Sequence, residues 1–241
     1  MNYKHRNLIF HIDANSAYLS WESTYRLQHG DKIDLRTLPS VIGGDPVTRH
    51  GIVLAKSTLA KKYNIKTGEA IYSAKQKCPG LIIVPPRYDL YMMCSSAMHE
   101  ILQEYTPLIQ RFSIDESFLD LSNTKHLHSG PVDLAHKIKD RIKKELGFTV
   151  NIGISSNKLL AKMAGDLKKP DMVHTLFPEE IKEKMWTLSV QDLFMVGRAT
   201  LPKLNKLNIY SIGDLATYDL NVLMVALKSQ GKLIWEYANL S

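Results

Sequence analysis

Three acidic side chains could do chemistry if the chain brings them together. Asp13 closes an alternating run, Leu8-Ile9-Phe10-His11-Ile12-Asp13, whose period of two predicts a strand. Asp115 and Glu116 fall where two further apolar stretches, Leu108 to Ile114 and Phe118 to Leu121, read as strands that meet. Adjacent side chains of an extended strand point to opposite faces, so these two acids converge only if the backbone turns between them, as a tight hairpin allows. Clustered carboxylates raise one another's pKa unless a cation neutralises them, and hard oxygen donors suit magnesium or manganese rather than zinc. Two such ions about 3.5–4 Å apart can activate a hydroxyl and stabilise a leaving pyrophosphate. That is nucleotidyl-transfer chemistry. By itself an Asp-Glu dipeptide after a strand is weak evidence and reads more simply as a solvated hairpin tip.

The elements that must position these acids alternate between α and β. After Asp13, Asn15 or Ser16 can cap a helix running through Tyr18, Trp21 and Glu22 towards Gly30, a left-handed stop. Strand-like pieces at Val41-Ile42, Ile52-Val53-Leu54 and Leu81 to Val84 flank a lysine-rich helix near 57–63. Leu90, Met93, Ala97, Ile101 and Tyr105 recur at helical spacing, an apolar face ended by Pro107. A helix over 131–146 with Gly147 as its stop precedes the alternating strand Phe148, Val150, Ile152, Ile154, and Asn157 then caps a helix that Pro170 terminates. Beyond Pro178 the pattern changes to short helical segments, which places a domain boundary near 172–178.

Composition narrows the partners. Of 241 residues 44% are hydrophobic, enough for a sizeable core and against disorder. Lysine and arginine number 31 against 24 acids, a formal charge of +7 that favours an anionic partner. Basic stretches at 56–77 and 137–169 read most simply as solvated helix faces. The two cysteines, Cys78 and Cys94, are too few for a disulfide framework or a cysteine-built zinc site, and are expected to be buried thiols in a reducing, cytoplasmic setting. The early apolar run is too short for a signal or membrane segment, so a soluble protein with no membrane partner is expected.

Three blocks resemble the Y-family translesion DNA polymerases, most closely the UmuC/ImpB/MucB/SamB group. They are Ile9-Phe10-His11-Ile12-Asp13-Ala14-Asn15-Ser16-Ala17-Tyr18, Ser113-Ile114-Asp115-Glu116-Ser117-Phe118-Leu119-Asp120, and Gly153-Ile154-Ser155-Ser156-Asn157-Lys158-Leu159-Leu160-Ala161-Lys162. The similarity spans nearly the whole chain. It implies an α+β right-hand polymerase core: a ferredoxin-like palm of mixed sheet and helices over 1–16 and 86–175, small inserted fingers over 17–85, and an all-helical thumb with a helix-hairpin-helix over 176–241. Family members carry a further DNA-gripping domain, the little finger, after the thumb. The chain ends at Leu240-Ser241, inside what reads as the last thumb helix or a linker, so an N-terminal fragment is expected.

Carried over position by position, the resemblance makes Asp13, Asp115 and Glu116 the catalytic metal ligands, with the carbonyl of Ala14, for two magnesium ions that manganese can replace. Tyr18 becomes a steric gate against a 2′-hydroxyl, where residue type alone would give an ordinary buried aromatic. Amides of Ser16 and Ala17 at a helix N-terminus, with Lys169, would meet the triphosphate. Thr58 and Lys61 stand where many relatives carry a tyrosine and an arginine, and neither reproduces a bidentate guanidinium fork. Gly197, Arg198, Ala199 and Lys203 of the hairpin would touch DNA phosphates without reading sequence, with an ordinary helix–helix turn as the lesser alternative.

The activity implied is template-directed, error-prone DNA synthesis past damage, using primer-template DNA and dNTPs, with recruitment by a sliding clamp or recombination filament through sequence beyond residue 241. A non-catalytic DNA- or partner-binding module and a palm-type nucleotidyl cyclase are the alternatives.

Overall fold

The structure, a computed structural model, describes residues 7–44, 51–124, 127 and 130–240. The expected palm over 1–6, the expected fingers over 45–50, and positions 125–126, 128–129 and 241 lie outside the described residues.

The alternating run at the start forms β1 (Ile9–Ala14), every residue of it buried, at the centre of a five-stranded sheet. Its neighbours are β6 (Glu116–Asp120) on one side and β7 (Val150–Ser155) on the other, both antiparallel. The sheet is completed by β5 (Ile109–Arg111) beside β6 and by β8 (Val173–Thr175), which pairs parallel to β7. Phe10 and Ile12 of β1, Leu119 and Ile152 face α4 (Tyr88–Gln103) and α5 (Pro131–Leu146), which supply Met98, Leu102, Ile138 and Ile142 to one core. Leu19 and Trp21 of α1 (Ala17–Gln28) join this same core. The opposite face carries Ile9, His11, Asp13 and Gly153, and is covered by α6 (Lys158–Asp166).

A smaller body follows α1. Its strands run β3 (Val53–Lys56), β2 (Ser40–Gly43), β4 (Ile82–Val84), with α2 (Thr58–Lys62) and α3 (Ile71–Lys77) packed on a separate core of Val41, Val53, Ala60, Ile65, Ile71 and Ala74. After β8 the chain is helical. Short turns lead to α7 (Leu201–Lys206), α8 (Ile212–Thr217), α9 (Leu220–Leu227) and α10 (Ser229–Asn239) around Met185, Leu204, Ile212, Leu223 and Ile234.

Several expectations need correction. Neither Asn15 nor Ser16 caps α1 through its side chain, because Ser16 is left-handed (φ 49°) and the Asn15 amide is bonded elsewhere. Met93 is 68% exposed: the buried stripe of α4 is Leu90, Tyr91, Ser95, Met98, Ile101 and Leu102, rotated by about one position. The first hairpin strand stops at Arg111 and the second begins at Glu116, so Phe112 to Asp115 form the turn. Helix α6 ends at Asp166, four residues before Pro170. Strand β8 was unforeseen, being too short for its periodicity to register. Cys78 is buried but Cys94 is half-buried, and burial pushes that thiol up to about 11.

Candidate active site

Asp13 and Glu116 lie directly across from each other in the β1/β6 register, on the face covered by α6. Like charges so placed repel, and each acid has its own neutralising partner. The Lys169 ammonium bonds Asp13 Oδ2 and also reaches Asp166 at 2.8 Å. Glu116 Oε2 accepts from Lys162 Nζ at 2.5 Å and from His11 Nε2–H at 3.0 Å. Burial would raise Glu116, but the His11 hydrogen bond and the Lys162 charge outweigh it and hold the carboxyl at about 2. For Asp13 burial wins over the pull of Lys169, and its pKa is raised. Lys169 is kept firmly protonated by Asp13 and Asp166 in spite of its own burial.

Asp115 reaches this place through the turn. The amides of Phe112 and Ser113 both donate to the Glu116 carbonyl (3.0 and 3.2 Å), and the Asp115 carbonyl accepts from the Ala14 amide at 3.0 Å, pinning the turn to the end of β1. Ser113 Oγ donates to Asp115 Oδ1 at 2.6 Å. Asp13, Ala14, Asp115 and Glu116 thus line one open pocket.

Among the described residues no three His, Cys, Asp or Glu side chains are drawn together closely enough to hold a metal ion. The expected cage of three carboxylates is therefore not closed, and each acid is bonded to a partner of its own: Asp13 to Lys169, Glu116 to Lys162 and His11, Asp115 to Ser113. The donor set nonetheless fits a hard divalent cation. All three acids and the Ala14 position share one pocket, and the buried Asp13 carboxylate already attracts an ammonium where a metal would serve.

The remaining predicted nucleotide residues, Ser16, Ala17, Tyr18, Thr58, Lys61 and Lys169, line the same pocket. Without a side-chain cap, the first amides of α1 keep hydrogen-bonding capacity for an anion. Tyr18 stacks on Tyr91 with ring centroids 4.5 Å apart, and burial raises its phenol. Thr58 opens α2, capped by Ser57 Oγ accepting from the Ala60 amide at 3.0 Å.

Sequence reasoning missed Lys56, which lines the pocket and donates to Thr67 Oγ1 at 3.2 Å. Burial and the neighbouring Lys61 charge lower its pKa. The signal was its place in the basic 56–77 stretch, two residues before Thr58. His11 and Lys162 were also missed as partners of Glu116, although both sit inside the quoted blocks. The stretch 137–169 is no merely solvated face. Lys139 and Lys143 bind Asp171, Arg141 binds Glu104 and Glu145, and Lys162 and Lys169 bind the acids.

The predicted DNA residues stand apart. Gly197, Arg198, Ala199 and Lys203 are exposed on the helical part and do not line the acid pocket. The hairpin is led by a three-residue turn, Val190–Asp192, rather than a full helix, and Met195 in it is left-handed (φ 73°).

The model of the impB/mucB/samB family matches residues 12–166. The chain is 54% identical to DNA polymerase IV of Clostridium acetobutylicum over 96% of its own length and 58% of that protein's. It is 41% identical to DNA polymerase IV of Acetivibrio thermocellus, over 97% and 57% of the two chains. Among solved structures, DinB from Sulfolobus solfataricus superposes with a TM-score of 0.85 at 26% identity, covering 96% of this chain and 66% of that one. An insertion ternary complex of Dbh DNA polymerase gives 0.82 at the same identity, covering 96% and 67%. The chain spans little more than half the length of the curated relatives it matches.

Proposed function

The chain belongs to the impB/mucB/samB family, and from that premise we propose that it is a template-directed DNA polymerase of the error-prone translesion type. Its fold is the Y-family polymerase core. In this reading the larger sheet body is the palm, the three-stranded body the fingers, and the helices from about 176 the thumb. The substrates are primer-template DNA and a dNTP, as the relatives' names and the Dbh ternary complexes suggest.

The observation that carries the reading is the pairing of Asp13 with Glu116 across two strands, beside Asp115, in a pocket whose other side presents lysines. Asp13, Asp115 and Glu116, with the Ala14 carbonyl, would hold two magnesium or manganese ions, which when bound supply charge neutralisation and activation of the primer 3′-hydroxyl. Lys169, Lys61 and Lys56, with Thr58 and the first amides of α1, bind the triphosphate. Tyr18, backed by the Tyr91 ring, would act as the gate against a ribose 2′-hydroxyl. Lys162 and His11 keep Glu116 ionised and oriented.

Primer extension in magnesium tests the proposal. Asp115→Asn and Glu116→Gln are each expected to lower the rate by roughly a hundredfold or more while leaving primer-template binding intact. Unchanged extension in either variant would remove the assignment, and DNA binding with no incorporation by the unmodified chain would make it a binding module.

A further inference from the structure

Lys169 lies in the segment between α6 and β8, outside any helix or strand, yet its ammonium is directed at Asp13. Two buried asparagines on the site face of the sheet account for this. Asn151 of β7 is the register partner of Asp13 and has no exposed surface. Its Nδ2 donates to the carbonyls of Gly165 (3.0 Å) and Lys168 (2.7 Å), and its Oδ1 accepts from Asn15 Nδ2 (3.0 Å) and from the Met172 amide (3.3 Å). An amide side chain offers two donors and two acceptor sites, and Asn151 uses all four. Asn15, 8% exposed, accepts at Oδ1 from Thr149 Oγ1 and from the Asp171 amide, both at 2.9 Å.

The amide pair therefore grips the segment on both sides of Lys169-Pro170: at Lys168 before it, and at Asp171 and Met172 after it. On the outer side, Lys139 and Lys143 of α5 bind the Asp171 carboxylate at 2.8 and 2.9 Å. Nothing in a generic strand demands an asparagine at position 151, where the neighbouring residues Val150 and Ile152 are apolar. A fully buried amide whose four bonds reach the end of α6 at Gly165, the segment at Lys168 and Met172, and Asn15 is a positioning device, since its loss leaves several backbone groups without their partner.

We propose that Asn15 and Asn151 form a buried amide couple that aims Lys169 into the nucleotide pocket, making them positioning residues for binding the triphosphate of the incoming dNTP. This rests on the polymerase reading above. The couple makes its side-chain hydrogen bonds to this segment, to Gly165 and to Thr149 rather than to the three acids, and Asn15 also lines the pocket. It acts by fixing the carbonyl of Lys168 and the amides of Asp171 and Met172, so that Lys169 need not lose the freedom of a loose loop when the triphosphate arrives.

Single-nucleotide incorporation with Asn151→Ala, Lys169→Ala and the double variant tests this. Asn151→Ala is expected to raise the dNTP KM by about fivefold, with primer-template affinity unchanged. In the Lys169→Ala background the same change is expected to add almost nothing, because both act through one ammonium. An unchanged KM, or a double variant whose losses multiply, would overturn the proposal. Asn15→Ala, which leaves Asn151 its bonds to Gly165, Lys168 and Met172, serves where Asn151→Ala does not fold, and the same non-additivity is expected of it. Hydrogen exchange gives a readout independent of activity. The Asp171 amide is expected to exchange faster in Asn15→Ala, and the Met172 amide in Asn151→Ala, while Ile12 and Ile154 in the sheet stay protected. Equal protection of Asp171 and Met172 in variant and parent would overturn it. Failure of the polymerase reading shows separately, as extension that survives Asp115→Asn.

Discussion

The chemistry of single residues here is a matter of which charge answers which. Asp13 and Glu116 face each other across two strands, an arrangement that would destabilise the sheet if both acids stood alone. Lys169 and Lys162 remove the repulsion, and His11 adds a directed hydrogen bond. On the other side of the pocket the situation is reversed. Burial first, and then repulsion from Lys61, lower the Lys56 pKa. A polyanion between them would relieve that repulsion. Lys56→Ala is accordingly expected to raise the dNTP KM by about tenfold, the worth of one charge-assisted hydrogen bond. Steady-state incorporation kinetics measure this directly, and a KM equal to the parent's would take Lys56 out of the phosphate site.

At the scale of elements, α6 is the part whose placement decides the most. It carries Lys162 to Glu116 and ends just before the Lys169 segment. It lies so close on β7 that a Cβ at Gly153 would come within 1.9 Å of the Ala161 carbonyl and 2.3 Å of the Gly165 nitrogen. The glycine is needed there for contact, not for an unusual backbone angle. Gly153→Ala is expected to cost about 1–3 kcal/mol, read as a lowered thermal midpoint, together with slower primer extension because α6 must lift. A variant as stable as the parent would show that α6 can yield without cost.

A second elemental joint fixes the connection between α1 and β2. Asp34 accepts from Ser23 Oγ at 2.7 Å and from the amide and guanidinium of Arg36, while Arg36 reaches the Gly147 carbonyl at 2.9 Å. The Arg36 hydrogen bond leads the forces that lower the Asp34 carboxyl from 3.8 to about 2. Because the folded value is the lower one, the carboxylate stabilises the fold at pH above 3.8 and that contribution is lost as pH falls through about 2. Asp34→Asn is expected to be less stable by roughly 1–2 kcal/mol near neutrality, with the gap closing below pH 2 in denaturant titrations. A gap independent of pH would show that the charge is irrelevant.

In the whole molecule, α6 also joins the sheet to the helical part. Ala161 packs on Ile9 and Phe118 of the sheet, while Leu160, Met163 and Ala164 lie in the core that contains Leu204 and Ile212. A line of rings follows the same path. Phe118 meets Phe112 edge-on at 5.5 Å, Phe112 meets Phe194 at 6.4 Å, and Phe194 stacks on Tyr237 of α10. The Lys162 ammonium sits over both Phe112 and Phe194. The helical part then holds Arg198 and Lys203 exposed, away from the acids. If these two meet DNA phosphates, affinity for primer-template falls steeply with salt, and Arg198→Ala and Lys203→Ala are each expected to reduce the log-log salt slope by about one. Binding titrations over a range of salt concentrations check it, and an unaltered slope would place DNA elsewhere.

Much of the framework was legible because local signals are strong where period, cap and stop agree. The alternation before Asp13 and the helix over 131–146 between Pro131 and the left-handed Gly147 are readable from neighbours a few residues apart. That Asp13, Asp115 and Glu116 share one pocket was foreseeable too, since their types and their places in or beside strand ends are written locally. Tertiary structure decided what depends on residues over a hundred positions apart: that Asp13 faces Glu116, that Lys169 bonds Asp13, and that Asn15 and Asn151 share one hydrogen bond. It also decided that Lys139, Lys162 and Lys169 of the 137–169 stretch turn to acids rather than outward to water. Sequence pattern reports which face of an element is apolar, whereas the partner of a polar side chain is set only when the sheet order and the packing of α6 bring distant segments into contact.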